Sequence, residues 1–129
     1  MDDIVFTIPS APPSANRLWR NARGRSFLAP AARDFYELVA YTLCGRRIPK
    51  EWEYVEVEIV VELNAARGDV DNRIKPVLDA LTRAHFWRDD SQVVRVSCEF
   101  AAPGRGATYV RVRRRAERYK RIETKQWNE

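Results

Sequence analysis

Alternating hydrophobic and polar residues predict four β-strands along the chain. The clearest alternation lies in residues 54–63, where valine, isoleucine or leucine occupies every second position and glutamate fills most positions between. Successive side chains of a strand point to opposite faces, so this pattern indicates one face in the core and one in water. Residues 4–8, 93–100 and 108–113 show the same period of two. We therefore expect a sheet of four strands.

Two segments have helical periodicity instead. Residues 31–44 and residues 72–84 carry hydrophobic side chains three or four positions apart, which is the spacing of an amphipathic helix. Asp71 or Asn72 is a natural cap for the second helix, and Pro76 falls near the end of its first turn, where it can distort the helix. The predicted order of strand, helix, strand, helix, strand, strand (βαβαββ) defines a single α+β domain.

The connecting segments carry weaker signals. Residues 15–29 show neither period and are predicted to be a loop. Residues 102–106 read Ala-Pro-Gly-Arg-Gly, a turn-rich sequence that predicts an antiparallel hairpin between the last two strands. Residues 114–129 have no hydrophobic stripe, so we expect a frayed helix or a flexible basic tail there. The folded domain is accordingly assigned to residues 1–113.

Length and composition restrict the class of protein. A chain of 129 residues fits one domain, and its 45% hydrophobic content is typical of a globular protein. No hydrophobic run approaches the ~20 residues that a membrane span requires. The chain begins with two aspartates after Met1, which is unlike the basic start of a signal peptide. We therefore expect no membrane partner and a cytoplasmic location.

The charge distribution points to a polyanionic ligand. The formal net charge is +5, and arginine is concentrated in two stretches, one between residues 17 and 33 and one from residue 111 to 121. Clustered cations of this kind attract a phosphate backbone, although a basic surface can also serve only to keep a small domain soluble. Charge alone therefore leaves nucleic-acid binding open.

A cluster of acids inside this basic chain indicates a metal site. Asp69 and Asp71 are one residue apart, so in an extended backbone both side chains point the same way. Asp89 and Asp90 form a second acidic pair after the second helix. Oxygen ligands without clustered cysteine or histidine favour Mg²⁺ or Mn²⁺ over zinc. Lys75, one helical turn beyond Asp71, could stabilise charge on a phosphate or position a water.

A purely structural interpretation of the same residues is also open. Asp71 or Asn72 could cap the helix, Asp69 could fill a turn, and the acidic pair at residues 89–90 could belong to a polar loop. The aromatic pair Phe86 and Trp87 could stack on unpaired bases, but such a pair more often anchors a loop in the core, and we favour the core.

Two motifs resemble the RusA family of Holliday junction resolvases. One reads Asp-x-Asp-Asn-x-x-Lys-Pro at residues 69–76 and continues to Trp-x-Asp-Asp-x-Gln at residues 87–92. The other reads Pro-Ser-Ala-Asn-Arg-Leu-Trp-Arg at residues 13–20. The resemblance implies a mixed four-stranded sheet with two helices. It also implies catalytic and metal-binding roles for Asp69, Asp71 and Asp90, a catalytic role for Lys75, and a weaker candidacy for Asp89.

The family resemblance further implies an activity and a partner. Its members are endodeoxyribonucleases, often carried by prophages, that act as homodimers, bind four-way or branched DNA and make paired symmetric nicks with Mg²⁺ or Mn²⁺ in recombination and repair. Candidate DNA contacts lie in the N-terminal motif, before and after the acids and in the last strand: Asn16, Arg17, Arg20, Arg67, Arg73, Arg111 and Arg113. Asn16 could equally fix its own loop.

The position of Asp90 raises a geometric question. A helix of about 12 residues advances roughly 18 Å and carries Asp90 away from Asp69 and Asp71. Residues 84–89 could span about 20 Å back if extended. Either they return to the start of the helix and the third strand of the pattern runs antiparallel to the second, or Asp90 joins the site from a second subunit.

Three functions compete at this level. The first is a Mg²⁺-dependent, structure-selective endonuclease, favoured by the combined motifs. The second is a noncatalytic DNA-binding protein that keeps the fold while its carboxylates only cap helices. The third is an enzyme acting on a smaller phosphate compound such as a nucleotide, for which so many arginines are not needed. Convergence of Asp69, Asp71 and Asp90 would separate the first from the second.

Overall fold

Two helices and a four-stranded mixed sheet form the domain in a computed structural model, which describes residues 3–128. The sheet has the order β1-β6-β4-β5, in which β6 is antiparallel to both its neighbours and β5 is parallel to β4. The α+β class and the mixed four-stranded sheet with two helices are confirmed, and the predicted elements occur in the predicted order, with an additional two-stranded hairpin before the first helix. The helices and strands are β1 (Ile4–Ile8), β2 (Trp19–Ala22), β3 (Arg25–Leu28), α1 (Pro30–Leu43), β4 (Tyr54–Glu62), α2 (Ile74–Arg83), β5 (Val93–Phe100) and β6 (Ala107–Arg115).

One face of the sheet packs on the helices. Every second side chain of β4 is buried, as its alternation predicts, and the buried positions of β6 follow the same period. The helices add Val39 of α1 and Leu81 of α2, both fully buried. The other face of the sheet carries charged side chains of β4, β5 and β6, which remain in contact with water. We call it the open face; its charged residues include Glu56, Glu58, Arg95, Arg111 and Arg113.

The loop predicted for residues 15–29 is wrong. The segment contains a short 3₁₀ helix, Ala15–Arg17, and a hairpin in which β2 pairs with β3. Arg23 and Gly24 at its turn both have positive φ, at 52° and 74°, which is the geometry of a tight two-residue hairpin turn. The two strands are almost entirely exposed, so their sequence has no hydrophobic alternation for a pattern to detect.

The predicted hairpin between the last two strands is also wrong, because β4 lies between β5 and β6. The connector crosses the end of β4, where the amide of Ala101 donates to Val61 O at 2.9 Å and that of Gly104 to Leu63 O at 2.8 Å. β5 instead joins β4 through α2 as a parallel crossover. The turn-rich sequence therefore identified the connection between β5 and β6 correctly, but these two strands do not pair with each other.

The start of α2 differs from the prediction. Residues Val70–Arg73 form a separate 3₁₀ helix, and α2 begins only at Ile74, with no side chain capping it. Pro76 is thus the third residue of α2, where a backbone amide has no partner within the helix, so it is accommodated. The expected cap by Asp71 or Asn72 is absent from the structure.

The C-terminal segment is not a helix in its described part. β6 extends two residues beyond its predicted end, to Arg115, and residues 116–128 are exposed, with one short 3₁₀ turn at Thr124–Gln126. Within residues 3–128 there is no helix with the length and hydrophobicity needed to cross a bilayer.

Candidate active site

The two sequence motifs meet in one cleft at the end of β4. The cleft has a volume of about 700 Å³ and is lined on one side by the N-terminal motif and on the other by the acidic segment. Its lining residues are Pro13, Ser14, Asn16, Arg17, Ala31, Arg67, Gly68, Asp69, Asn72 and Arg73. Residues 13–17 and residues 67–73, which are at least 50 positions apart in sequence, therefore line a single site.

Arg73 holds the two sides of the cleft together. Its side chain is 8% exposed, and Nη1 donates a 2.7 Å hydrogen bond to the carbonyl of Pro12. Burial lowers the pKa of the Arg73 guanidinium, and the nearby charges of Arg67 and Arg17 lower it further. The positive charge of the Arg73 guanidinium therefore lies close to two other positive charges, those of Arg17 and Arg67.

The N-terminal side of the cleft is fixed by its serine. Ser14 caps the 3₁₀ helix: its Oγ accepts a hydrogen bond from the amide of Asn16 at 3.3 Å, and its carbonyl accepts one from the amide of Arg17 at 3.0 Å. The side chains of Asn16 and Arg17 remain exposed. The backbone of this loop is thus ordered by local hydrogen bonds, while its polar side chains are available to a ligand.

The side chains of Asp69 and Asp71 cap no helix and form no ion pair among the described residues. Asp69 has an extended backbone, and its side chain does not cap the 3₁₀ helix that follows. Both carboxylates are exposed, and neither forms a hydrogen bond or an ion pair with any side chain in residues 3–128. The structural interpretation of Asp71 as a helix cap is therefore wrong, that of Asp69 as a turn residue beside Gly68 is not contradicted, and the interpretation of both as ligands stays a prediction.

Lys75 lies in the first turn of α2, close in sequence to Asp71, as predicted. Its Nζ is 3.3 Å from Asp79 Oδ2, and its side chain is 64% exposed. Such a pair on a helix surface contributes only a few tenths of a kcal/mol, about 0.3 to 0.5. The ammonium group is therefore held weakly and can move to a ligand.

Asp89 and Asp90 differ in their surroundings. Asp89 caps the 3₁₀ helix Asp90–Gln92, and the Gln92 side chain accepts in return from the amide of Asp89 in a reciprocal capping box. The hydrogen bonds from Ser91 lower the pKa of Asp89. Asp89 thus has a structural role that accounts for it, whereas Asp90 forms no ion pair with a described basic residue.

Asp90 does not join Asp69 and Asp71 within one chain. It precedes β5, which runs parallel to β4, so it lies at the end of the sheet opposite to the cleft. The paired residues from Val55 to Val61 alone span roughly 20 Å. No group of three or more acidic, histidine or cysteine residues in the described chain could hold a metal ion. The alternative with an antiparallel third strand is therefore wrong, and the contribution from a second subunit stays open.

The segment before Asp90 stays at the end of α2. Phe86 and Trp87 are buried, their rings meet edge to face, and Trp87 Nε1 donates to Thr82 Oγ1 at 2.7 Å. The amide of Phe86 donates to Leu81 O, the carbonyl of a residue in the last turn of α2. The prediction that the aromatic pair anchors the core is confirmed.

The candidate DNA contacts fall into two groups. Asn16, Arg17, Arg67 and Arg73 line the cleft, and Arg20 is exposed nearby in sequence on β2. In contrast, the other two arginines lie on the open face and are paired: Arg111 Nη1 donates to Glu58 Oε1 at 3.1 Å, and Arg113 Nη2 to Asp3 Oδ2 at 3.0 Å. The hydrogen bond from Arg113 lowers the pKa of Asp3.

The burial of Arg73 was missed by the sequence analysis. The sequence does contain a pattern that predicts this burial. Arg73 is four positions before Val77 and seven before Ala80, and both of these residues are buried on the inner face of α2. The helical stripe thus includes a charged residue at its start. Pro12, the residue that accepts its hydrogen bond, carried no recognisable signal because the contact uses only a backbone carbonyl.

Fold and cleft together define a small α+β protein that exposes unpaired carboxylates beside clustered arginines. Comparison with known proteins gives the family. The chain belongs to the RusA family, since the family model described as Endodeoxyribonuclease RusA matches residues 9–113. The match includes both sides of the cleft and ends before the C-terminal segment.

Curated relatives carry consistent names. The crossover junction endodeoxyribonuclease of Enterobacteria phage 82 is 37% identical over 97 residues, which covers 73% of this chain and 79% of the relative. Crossover junction endodeoxyribonuclease RusA of Escherichia coli K12 is 35% identical over 101 residues, and that of Shigella sonnei 34%, each with the same coverage.

Proposed function

We propose that this protein is a Mg²⁺-dependent endodeoxyribonuclease that resolves four-way DNA junctions by paired, symmetric nicks. The observation that carries the proposal is that Asp69 and Asp71 are both exposed and form no ion pair among the described residues, and that Asp69 lies on an arginine-lined cleft. The names of the relatives support branched DNA as the substrate. The cytoplasmic location expected from the sequence agrees with a DNA substrate.

Asp69 in the cleft and Asp71, two positions further along the chain, fit a divalent metal. Two carboxylates without structural hydrogen bonds provide the oxygen ligands that Mg²⁺ prefers, and Mg²⁺ commonly uses one or two carboxylates together with waters and substrate phosphates. When bound, Mg²⁺ would activate a water and neutralise charge on the phosphate. Mn²⁺ has the same ligand preference and is expected to substitute for it.

The protein groups around the carboxylates have separate tasks. Arg17 and Arg67 attract the DNA backbone and orient it over Asp69 and Asp71. Lys75, released from its weak pair with Asp79, places a positive charge at the reacting phosphate, where negative charge increases in the transition state. Asp89 fixes the turn that presents Asp90.

We propose that Asp90 completes the site of a second subunit in a homodimer. Within one chain it lies at the far end of the sheet, so a contribution to the same metal requires another copy of the chain. In a two-fold symmetric dimer the exchange is mutual, which yields two equivalent sites. Two equivalent sites are suited to two symmetric nicks.

Cleavage of defined DNA substrates tests the activity. Labelled four-way junction and linear duplex of the same sequences are incubated with the protein in Mg²⁺, in Mn²⁺ and in chelator. We expect paired nicks in the junction only, with either metal, and intact DNA in chelator. Equal nicking of junction and duplex would contradict junction selectivity, and nicking in chelator would contradict a metal-dependent reaction.

Mixing two inactive variants tests the shared site. Asp71→Asn and Asp90→Asn each damage both sites of a dimer. In a mixed dimer with shared sites, one site carries both substitutions and the other carries none, so one active site reappears. We expect the mixture to make single nicks with little pairing. If each site is built within one chain, the mixture stays as inactive as its components.

A noncatalytic DNA-binding protein remains the second candidate. The observation that favours it is the lack of a three-carboxylate group within the described chain. The two candidates differ in one result: a noncatalytic protein would bind the junction and leave it uncut with Mg²⁺ and with Mn²⁺ at any protein concentration.

A further inference from the structure

The cleft contains three arginines whose charges are not neutralised by any described carboxylate. Arg17, Arg67 and Arg73 line it together, and none of them forms an ion pair in residues 3–128. Asp69 is the single acidic residue among the lining residues. The cleft lining therefore carries an excess of positive charge, and its arginines repel one another.

Arg73 is the most constrained of the three. Its side chain is more than nine-tenths buried, and its only described hydrogen bond runs from Nη1 to the carbonyl of Pro12. The buried Nε has no partner. A guanidinium has five N–H donors, and a buried charge is stable only when it is paired and hydrogen-bonded. The protein alone thus leaves this group incompletely satisfied.

The backbone around Arg73 leaves room for its guanidinium. Gly68 adopts a φ of +74°, and a Cβ at this position would lie 3.1 Å from Arg73 Nη2. A side chain there would therefore press on the guanidinium as well as strain the backbone. Glycine at position 68 therefore leaves the space beside Arg73 Nη2 free of a side chain.

We propose that Arg17, Arg67 and Arg73 form a subsite for a phosphate group, namely a phosphodiester of the bound DNA adjacent to the one that is cut. The proposal rests on the proposed function, because the DNA substrate supplies this phosphate. Phosphate oxygens accept hydrogen bonds from planar guanidinium groups, often in pairs, and the anion neutralises the repulsion among the three arginines. Asp69, on the same cleft, places the metal site next to this subsite.

A purely structural role for Arg73 explains less. Tying the carbonyl of Pro12 to the acidic segment requires one donor and no positive charge. It gives no reason for Arg17 and Arg67 to line the same cleft as Arg73, or for Nε to remain without a partner. A phosphate ligand accounts for both observations.

Binding of inorganic phosphate to the metal-free protein tests the subsite. The full chain is titrated with phosphate in chelator at constant ionic strength, while NMR follows the Nε–Hε signal of Arg73, assigned by its loss in Arg73→Lys. We expect saturable binding and a shifted Arg73 signal. Because Arg17 and Arg67 are exposed, Arg17→Gln and Arg67→Gln should fold normally and weaken phosphate binding about tenfold each, as expected for loss of one charge-assisted hydrogen bond.

Arg95→Gln is the matched control. Arg95 is an exposed arginine on the open face, paired with Glu56 at 3.6 Å, so its loss should leave phosphate affinity unchanged. Failure of the wild-type protein to bind phosphate, or equal weakening by Arg95→Gln, would overturn the subsite. Neither metal nor nicking enters this measurement, so a protein that binds phosphate in this way but never cuts DNA would refute the proposed function and leave the subsite intact.

A second arm separates DNA phosphate from a free phosphate compound. Saturating four-way junction, still in chelator, should shift the same Arg73 signal and abolish binding of inorganic phosphate. If phosphate continues to bind with unchanged affinity to the DNA complex, the subsite does not take a phosphodiester of DNA and the proposal is wrong.

Discussion

The cleft and the open face of the sheet contain the same kinds of charged side chain in different arrangements. On the open face, Arg95 pairs with Glu56 and Arg111 with Glu58. In the cleft, Asp69 and its neighbouring arginines form no ion pair among the described residues. Exposed ion pairs of this kind contribute little to stability, and the two charges of each pair chiefly neutralise one another. Charges left without partners in a concave site are instead available to a ligand, and we infer function from that difference.

Removal of Asp71, one of the two candidate metal ligands beside the cleft, should have the largest effect. Asp71→Asn should slow nicking of a four-way junction in Mg²⁺ about 10³-fold or more, because a metal ligand supports several kcal/mol of transition-state stabilisation. Junction binding should be kept or strengthened, since the substitution removes a negative charge near phosphate. Single-turnover cleavage and a binding titration measure the two effects.

Glu56→Gln is the control for this comparison. It removes a carboxylate from the open face, where the partner is Arg95, and should leave the cleavage rate unchanged. Wild-type cleavage by Asp71→Asn, or an equal loss in Glu56→Gln, would remove the functional distinction between the two regions.

Lys75→Ala should reduce cleavage on the order of 10²-fold with little change in affinity, because a cation aligned with the reacting phosphate acts mainly on the transition state. Lys75→Arg is not expected to restore the rate, since a planar guanidinium fills space differently. Asp79→Asn, which removes only the partner of Lys75 on the helix, should not slow cleavage. If Lys75→Ala weakens junction binding tenfold while the bound junction is still cleaved at the wild-type rate, Lys75 contributes only to binding the DNA backbone.

Substitutions of Asp89 and Asp90, the two aspartates before β5, should have different effects, one on stability and the other on activity. Asp89→Ala removes a helix cap and should lower Tm by roughly 2 to 6 °C while nicking is retained at low temperature. Asp90→Asn should show the reverse, an unchanged Tm and loss of nicking. Thermal unfolding and cleavage of the same preparations provide the comparison. Loss of nicking in Asp89→Ala at a temperature where it is folded would restore Asp89 as a site residue.

Truncation after Arg115 should have the smallest effect. Residues 116–128 are exposed, so the domain should stay folded, and β6 remains complete. The truncation removes four basic residues, and the slope of log affinity against log salt should fall by about 0.9 for each of them that neutralises a DNA phosphate. An unchanged slope would show that this segment does not bind DNA, and unfolding would show that it packs on the domain.

The elements with a buried face could be predicted from the sequence, and those without one could not. β4 and α1 carry clear periodicity because one side of each is in the core. The hairpin of β2 and β3 is exposed on both faces, so its formation depends on the turn at Arg23 and Gly24 rather than on a hydrophobic pattern. Strand order was missed for a related reason, since pairing of β6 with β4 is set by tertiary packing and not by the adjacent turn.

In the candidate site, too, some residues could be predicted from the sequence and others could not. Asp69, Asp71 and Lys75 could be proposed from their spacing and the family motif, because these are local in sequence. The burial of Arg73 and its contact with Pro12 join positions 61 residues apart, and a backbone acceptor leaves no trace in residue type. The position of Asp90 depended on whether β5 runs parallel to β4, which the spacing of residues could not determine.

Metal binding by Asp69 and Asp71 tests the central claim most directly. Mn²⁺ binding to the protein is followed by electron paramagnetic resonance in the wild type, in Asp69→Asn, in Asp71→Asn and in the open-face control Glu56→Gln. The account predicts binding at about one Mn²⁺ per chain in the wild type and the control, and at least tenfold weaker binding in Asp69→Asn and in Asp71→Asn, as expected for loss of a carboxylate ligand. Unchanged Mn²⁺ affinity in Asp69→Asn and Asp71→Asn would contradict it.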